Sequence, residues 1–211
     1  MATLQAVERR RPLFSLLSKR SKRAGIPKIA TGPAGLGWAN WAEEVGSRQQ
    51  ARDFFHRRQR RSINGEPKLR IESIVKVENV ETLSRFQSTG SFNINPLQAH
   101  QQHRDTLLFH GCPDAAAPNI QADGLLLKYA KNGMLGKGLY GAPEPRKSAH
   151  FCGSSEEKFM FICRFRLDAS AKHAGPSTQH RNTLFDEFCV YDERHVVVLW
   201  MLKVKEDTMA V

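Results

Sequence analysis

The sequence predicts an α+β fold, rich in strands, whose strands are joined by short helices and loops. The apolar run Leu107–Phe109 is typical of a buried strand. Apolar and polar residues alternate over 158–168, which predicts another strand, and residues 185–204 predict two more around a turn at 192–194. Because the predicted helices are short and do not alternate regularly with strands, a parallel βαβ arrangement is not favoured.

The positive charge of the chain is concentrated in its first third. The 211 residues carry a formal net charge of +11. Residues 1–70 hold 16 Lys and Arg against 5 Asp and Glu, whereas residues 71–211 hold 16 of each. The remaining body is therefore neutral, and we do not expect a nucleic-acid-binding groove across it.

The composition divides the chain into a disordered basic tail at 1–35, a folded domain at 36–205 and a short C-terminal tail at 206–211. The basic tail contains two clusters, Arg9–Arg11 and Lys19–Arg23. Two basic clusters across a spacer favour a nuclear localisation signal, and hence a nuclear over a cytoplasmic protein. Two alternatives stay open: an organellar transit peptide, because the tail contains Arg and Ser and few acids, and a solvated tail that binds polyanions such as nucleic acid.

The first predicted element of the domain is a helix over 38–61. Its apolar side chains fall near one stripe, and four arginines follow them near its C-terminal end, where cations favour a helix. We expect this stripe to pack against the core, although aromatic rings could also stack on bases. The stripe consists of Trp38, Trp41, Val45, Phe54 and Phe55.

A strand and a short helix are predicted next. Apolar residues alternate at Leu69, Ile71, Val75 and Val77, which predicts a half-buried strand. The segment that follows predicts a short helix with three buried side chains. These are Val80, Leu83 and Phe86.

Neither a metal site nor a membrane partner is expected. The four cysteines show no CxxC spacing, so free thiols are expected. His100 and His103, three residues apart in the polar segment 88–106, could bind a metal, but surface histidines are favoured because no third ligand stands at a suitable spacing. No apolar run approaches the roughly 20 residues of a membrane span.

The stretch 107–142 carries the strongest functional signal. Its first strand ends in His110-Gly111, where a glycine can leave a backbone N–H open to a ligand. The sequence GKGLYGA then places Tyr140 on another strand. A short helix is predicted near 144–152, and a loop at 169–183. We expect the histidine and the tyrosine to form two walls of one slot.

Four motifs in order resemble the catalytic domain of the poly(ADP-ribose) polymerase family of ADP-ribosyltransferases. They are LLFHGC, GKGLYGAPEPRKSAHFC, KFMFICRFRLD and FDEFCVYDERHVVVLWML. The resemblance implies an ADP-ribosyltransferase-like fold of two packed, mainly antiparallel sheets with short flanking helices. It also implies that NAD⁺ is the co-substrate and that no metal is needed.

The resemblance also implies roles for individual residues. The family's His–Tyr–Glu triad falls on His110, Tyr140 and Glu187. His110 would hydrogen-bond a ribose hydroxyl of NAD⁺, and Glu187 would contact the hydroxyls of the nicotinamide ribose. This would make the protein an enzyme that transfers ADP-ribose to a protein or nucleic-acid acceptor and releases nicotinamide, with mono- and poly-transfer both open.

The nicotinamide itself would be held by four residues. Gly111 would bind the carboxamide through its backbone, and the Ser148 hydroxyl would add a further hydrogen bond. Tyr140 and Phe151 would enclose the ring between two aromatic faces. Nicotinamide on ribose is a cationic leaving group, so stacking that fixes the ring and a carboxylate beside the sugar suit this chemistry.

Two departures from the family's usual residues motivate an alternative function. Gly141 stands where phenylalanine is usual after the tyrosine, and Cys112 replaces a small hydroxyl residue after His110-Gly111. The segment from Gly124 to Gly133, expected above the donor, is also short. The alternative is a catalytically weak module that binds NAD or ADP-ribose and is targeted by a basic tail that binds nucleic acid.

Overall fold

Two antiparallel sheets form the framework of the domain. The computed structural model describes residues 45–59, 67–89, 104–175 and 184–207, so the predicted tail at 1–35 and His100 and His103 lie outside the described residues. The strands are β1 (Lys68–Lys76), β2 (Arg104–Cys112), β3 (Asn132–Gly133), β4 (Gly136–Lys137), β5 (Leu139–Gly141), β6 (Glu157–Leu167), β7 (Lys172–Ala174), β8 (Glu187–Val190) and β9 (Val196–Asp207). The helices are α1 (Arg48–Arg58), α2 (Val80–Ser88), α3 (Ala117–Asp123) and α4 (Pro145–Ala149), with 3₁₀ turns at Asp114–Ala116, Leu127–Tyr129 and Glu193–His195.

The larger sheet has four strands in the order β1-β9-β6-β2, and every neighbouring pair is antiparallel. The smaller sheet has the order β5-β8-β7 and is also antiparallel. Strands β3 and β4 form a separate two-stranded hairpin. The predicted α+β class, with mainly antiparallel sheets and short helices, is confirmed.

Helix α1 packs on one face of the larger sheet. The ring of Phe54 stacks on Phe109 of β2, with centroids 5.1 Å apart, and Phe55 meets the same ring edge-on at 5.9 Å. Helix α4 contributes Ala149 to this apolar cluster. This face therefore holds β2, and the residues at its end, in a fixed position.

The smaller sheet contributes to the apolar cluster on the opposite face. Large side chains of β6 and β2 pack here with side chains of β5 and β8, so strand β2 is packed on both faces. The residues of this cluster include Leu108, Phe161, Phe165, Leu139, Phe188 and Val190. The histidine that ends the predicted first strand is thereby placed next to the strand of the predicted tyrosine.

The helix predicted at 38–61 is shorter than expected. It begins after Ser47, whose side chain accepts a hydrogen bond from the Gln50 N–H while the Gln50 side chain accepts one from the Ser47 N–H. This capping box satisfies the free N–H groups of the first turn, so the described residues before Ser47 are not helical. Trp38 and Trp41 lie outside the described residues.

The alternation predicted for β1 is interrupted by a bulge. Leu69 is buried as expected, but the register shifts between Ile71 and Ser73. The extra residue exchanges the two faces of the strand, so Ile74 is buried and Val75 is 40% exposed. The prediction that Val75 faces the core is therefore wrong.

Helix α2 buries a different face from the one predicted. Asn79 caps it by accepting the N–H of Thr82, and Thr82 and Phe86, four residues apart, are the buried side chains. Val80 is 79% exposed and Leu83 41% exposed, so the prediction that these two are buried is wrong. The buried face of α2 includes Thr82, and a search for regularly spaced apolar residues does not detect a threonine.

Two boundaries also differ from the sequence-based expectation. The loop predicted at 169–183 contains strand β7, which pairs with β8 along Lys172–Ala174. Strand β9 extends to Asp207, two residues into the segment 206–211. The four cysteines are free and buried.

Candidate functional site

The edge of β2 that faces away from β6 carries a backbone donor and acceptor pair that has no hydrogen-bond partner among the described residues. On the side away from β6, the Phe109 N–H donates to the Ala142 carbonyl at 2.8 Å, and the Ala142 N–H donates to the Phe109 carbonyl at 2.9 Å. Backbone groups two residues apart on a strand point to the same edge. The N–H and C=O of Gly111 therefore face that edge too, spaced to bind a planar amide.

Only glycine fits at position 111. A Cβ there would lie 1.8 Å from the Ser148 carbonyl oxygen and 3.0 Å from Cys152 Sγ. Helix α4 therefore lies against the backbone of β2, which brings Ser148 to the same edge. Burial raises the pKa of Cys152 to about 11 and that of Cys112 to about 12, so both thiols stay protonated and act in packing.

Ser148 faces this edge as an acceptor. Its Oγ donates to the Phe109 carbonyl at 2.9 Å, and the residue is buried. Because the hydroxyl proton is used in that bond, a ligand would meet the lone pairs of the oxygen. An amide NH₂ group is the complementary donor.

His110 is held in one tautomer. Its Nδ1 lies 2.8 Å from the Tyr140 carbonyl oxygen, which can only accept, so Nδ1 carries the proton. Burial lowers the pKa of His110 below its ordinary value, against the smaller opposing effect of this hydrogen bond. The ring is therefore neutral near pH 7, and Nε2 is left as an acceptor suited to a hydroxyl group.

Tyr140 supports the hairpin of β3 and β4. Its hydroxyl donates to the Gly136 carbonyl at 2.6 Å and accepts the Leu135 N–H at 2.8 Å. A Cβ on Gly133 would lie 2.6 Å from Tyr140 Cζ, so this glycine allows the hairpin to approach the ring. Burial is the main effect that raises the Tyr140 pKa to about 12, so the phenol positions the hairpin and stays protonated.

Glu187 lies on the same face of the smaller sheet as Tyr140. Tyr140 is paired with Cys189, and Glu187 is two residues from Cys189 along β8, so their side chains share a face. Glu187 Oε2 lies 3.1 Å from Lys147 Nζ, and both side chains are buried. The structure thus brings His110, Tyr140 and Glu187 to one region.

Lys147 was not among the residues that the sequence singled out. Besides Glu187, its Nζ lies 5.4 Å from the centroid of the Phe151 ring, a cation–π geometry. Phe151 itself is 54% exposed, which leaves ring surface open to a ligand. The one sequence signal for Lys147 was its position directly before Ser148.

A second buried ion pair supports the segment that leads into β8. Arg146 Nε lies 3.0 Å from Glu144 Oε1, with both side chains almost fully buried. The Arg146 guanidinium also lies over the ring of Phe185, 5.8 Å from its centroid. Since Phe185 is two residues before Glu187, these contacts fix the start of β8 relative to α4.

The reverse face of β8 is supported by His173 of β7. Its Nε2 lies 2.8 Å from Asp186 Oδ1, and its ring stacks on Phe188 with centroids 4.6 Å apart. The carboxylate adjacent to Glu187 is therefore used in a structural contact. The sequence does not distinguish the two neighbouring acids. In the structure, Asp186 contacts His173 and Glu187 contacts Lys147.

The departure at position 141 is compensated in the fold. A Cβ on Gly141 would lie 2.8 Å from the Phe165 ring and 2.9 Å from Leu108 Cβ. Phe165 of β6 thus fills the space beside β5. The space that a side chain at position 141 would need is therefore occupied by the Phe165 ring.

Across the described ranges, no group of three or more His, Cys, Asp and Glu side chains is placed to bind a metal ion. In the same part of the chain, no helix is long and apolar enough to cross a membrane.

The fold and this region define a catalytic domain of the ADP-ribosyltransferase class. Residues 55–172 match the family model described as the poly(ADP-ribose) polymerase catalytic domain. This match covers more than half of the chain, which therefore belongs to the poly(ADP-ribose) polymerase family. The matched residues include His110 and Tyr140 and end before Glu187. No curated protein matches the chain in a sequence comparison. Domains of this family use NAD⁺ as substrate and transfer ADP-ribose.

Proposed function

We propose that this chain is an active NAD⁺ ADP-ribosyltransferase with His110, Tyr140 and Glu187 as its catalytic residues. Three features in one region support the proposal: the backbone N–H and C=O of Gly111 at the edge of β2, a neutral His110 and the Glu187 carboxylate. A nicotinamide carboxamide would donate its NH₂ to the Gly111 carbonyl and Ser148 Oγ and accept the Gly111 N–H. Tyr140 and Phe151 would face the two sides of the ring.

In this mechanism, His110 and Glu187 orient the sugar. Nε2 of the neutral His110 accepts a hydrogen bond from a ribose hydroxyl. Lys147 holds Glu187 through Oε2, and Oε1 has no hydrogen-bond partner among the described residues, so Oε1 is directed to the hydroxyls of the nicotinamide ribose. The carboxylate then stabilises positive charge that develops on the sugar.

The reaction breaks the bond between C1′ of the ribose and the nicotinamide nitrogen. Nicotinamide leaves with the bonding electron pair as a neutral molecule, and an acceptor oxygen forms a new bond to C1′. The acceptor loses its proton to Glu187, which passes it to water. We propose a protein as the acceptor, with nucleic acid as a second class that the assay below separates.

The test is incubation of the full chain with NAD⁺, followed by mass spectrometry for free nicotinamide and for ADP-ribose on the protein. Substitution of Glu187 by Gln should lower turnover by about 10²- to 10⁴-fold, the usual contribution of a positioned acid or base. The matched control is Glu206→Gln, because Glu206 is also a strand glutamate near a lysine, 3.4 Å from Lys158 Nζ, but it is exposed. Equal turnover of wild type and Glu187→Gln would refute the proposal.

The competing function is a binding module without turnover. The packing of Phe165 against Gly141 reduces the support for it, since the strand of Tyr140 is not loosened. Saturable NAD⁺ binding without nicotinamide release would establish this module. The same assay, repeated with an added oligonucleotide, determines the class of acceptor. ADP-ribose found on the oligonucleotide and not on protein would show that nucleic acid is the acceptor.

We propose a separate role for the basic tail at 1–35 in nuclear import and in binding nucleic acid. Its two arginine- and lysine-rich clusters are the support. A fluorescent protein fused to residues 1–35 should accumulate in nuclei, and mitochondrial accumulation would instead establish a transit peptide. Affinity of the full chain for DNA should fall with salt and be lost when 1–35 are removed.

A further inference from the structure

A groove of about 560 Å³ lies beside the N-terminal end of α1, and it includes none of the proposed catalytic residues. Its walls are mostly apolar and come from β9, from α2 and from the residues that join β1 to α2. These side chains include Val77, Val80, Leu83, Val197, Leu199 and Trp200. Val80 and Leu83, wrongly predicted as core residues, leave large exposed apolar areas at this groove.

The described chain begins at this groove. Val45 and Gly46 both line it, and Val45 is buried. The Val45 carbonyl accepts a hydrogen bond from Trp200 Nε1 at 2.6 Å. Because Val45 itself lines the groove, the segment that precedes it in the sequence needs no long linker to reach the groove.

The preceding segment has the composition that the groove requires. Residues 37–44, GWANWAEE, contain Trp38 and Trp41 and then two glutamates, Glu43 and Glu44. Trp41 is four residues from Val45, a reach of at most about 14 Å in extended chain. Each indole ring could bury about 150–250 Å².

The charges are complementary as well. Arg164 of β6 lies in the groove, half-buried, and its guanidinium makes no hydrogen bond or ion pair with any described residue. A half-buried cation favours a carboxylate partner. The nearby Lys76 is already paired with Glu78 at 2.9 Å. Glu43 and Glu44 are carboxylates that stand directly before Val45 in the sequence.

We propose that residues 37–44 dock in this groove, with Trp38 and Trp41 on its apolar walls and a glutamate of the pair on Arg164. The segment lies outside the residues matched by the family model. Docking would anchor the chain that leads from the basic tail directly to the catalytic domain. It does not depend on catalysis.

The test uses the full chain labelled with 5-fluorotryptophan and ¹⁹F NMR. Three resonances are expected, one for each tryptophan, assigned by Trp38→Phe and Trp41→Phe. The Trp38 and Trp41 signals should be shifted from that of free 5-fluorotryptophan and protected from a soluble paramagnetic agent. Signals at the free position, broadened fully by the agent, would overturn the proposal.

Leu83→Glu should move both signals toward the free position. The matched control is Val75→Glu, because Val75 is 40% exposed against 41% for Leu83 and does not line the groove. Val80→Glu serves as a second groove variant if Leu83→Glu lowers the melting temperature. Signals that stay unchanged in the groove variants, or that respond equally to Val75→Glu, would contradict docking at this groove.

The proposed ion pair between Arg164 and Glu43 or Glu44 is tested by a double-mutant cycle. Arg164→Gln and the pair Glu43→Gln/Glu44→Gln should each reduce protection of the two tryptophans, and their combination should add little further loss. Additive losses would refute the pairing. Protection that disappears on dilution would show a second copy of the chain in the groove, and so overturn the intramolecular proposal.

Discussion

Lys147 Nζ lies 3.1 Å from Glu187 Oε2, and their side chains are only 6% and 7% exposed. A charge pair this deeply buried loses most of its hydration, so each partner depends on the other. The lysine comes from the short helix α4, and the carboxylate from the first residue of β8. This contact joins helix α4, which lies against Gly111 of β2, to the proposed catalytic acid.

Removal of the lysine charge should therefore destabilise the domain. Lys147→Met should lower the free energy of unfolding by about 3–5 kcal/mol, because Glu187 is left as an uncompensated buried charge. Chemical denaturation followed by circular dichroism measures this loss. The double variant Lys147→Met/Glu187→Gln should recover part of it without recovering turnover. Equal losses in the single and double variants would contradict a direct ion pair.

Addition of one methyl group at Gly111 should disrupt both packing and donor binding. The new Cβ would meet the Ser148 carbonyl at 1.8 Å, so α4 must move away from β2. We expect Gly111→Ala to cost at least about 1–3 kcal/mol of stability and to weaken NAD⁺ binding measured by calorimetry. In the control Gly46→Ala, the nearest atom is 3.6 Å from the added Cβ, and stability should stay within about 0.5 kcal/mol.

Binding of NAD⁺ should depend on pH through His110. Burial depresses the pKa of His110 below its ordinary value of 6.5, so the acceptor at Nε2 persists through neutral pH and is lost only in acid. KM for NAD⁺ should be flat above neutrality and rise as pH falls through the depressed pKa. A rise in KM that begins above pH 6.5 would contradict a depressed pKa.

The same shift predicts the pH dependence of stability. Between the depressed folded pKa and the unfolded value, the unfolded chain binds more protons, so stability increases with pH in that window. The contribution is fully present above the unfolded pKa and is lost as pH falls through the folded pKa. His110→Gln should flatten this part of a plot of melting temperature against pH.

The hydroxyl of Tyr140 should hold the hairpin of β3 and β4. Tyr140→Phe removes the bonds to the Leu135 N–H and the Gly136 carbonyl, worth about 1 kcal/mol each. Trypsin should then cleave faster at Lys137, and KM for NAD⁺ should rise several-fold. Tyr129→Phe is the control, because Tyr129 is 67% exposed. Unchanged proteolysis would show that the hydroxyl does not hold the hairpin.

Gly141 and Phe165 should behave as one packing unit. Gly141→Phe alone should destabilise the fold, because its Cβ would already meet the Phe165 ring at 2.8 Å. The double variant Gly141→Phe/Phe165→Ala should be more stable than the sum of its two single variants predicts. Thermal melts of the four proteins measure this coupling, and strict additivity would contradict the exchange of one ring for another.

The local pattern of apolar residues in the sequence was sufficient to predict much of the fold. The apolar pattern predicted β6 within one residue at each end and predicted β9 except for its last three residues, since each strand shows one repeating pattern along its own length. The same pattern was insufficient to predict which side chains of β1 and α2 are buried. A bulge after Ile71 changed which side chains face inward, and Thr82 was buried in preference to Leu83. Both outcomes depend on strands far away in sequence.

The sequence by itself determined the residue types of the proposed site and their order: a histidine before a glycine, a tyrosine after a glycine-rich turn, and a glutamate at the start of a strand. Tertiary structure alone decided that Lys147 pairs with Glu187, that the His110 proton is on Nδ1, and that Phe165 fills the space beside Gly141. The physical reason is that residue types and periodicity are local, whereas burial, charge pairing and tautomer depend on atoms that only folding brings together.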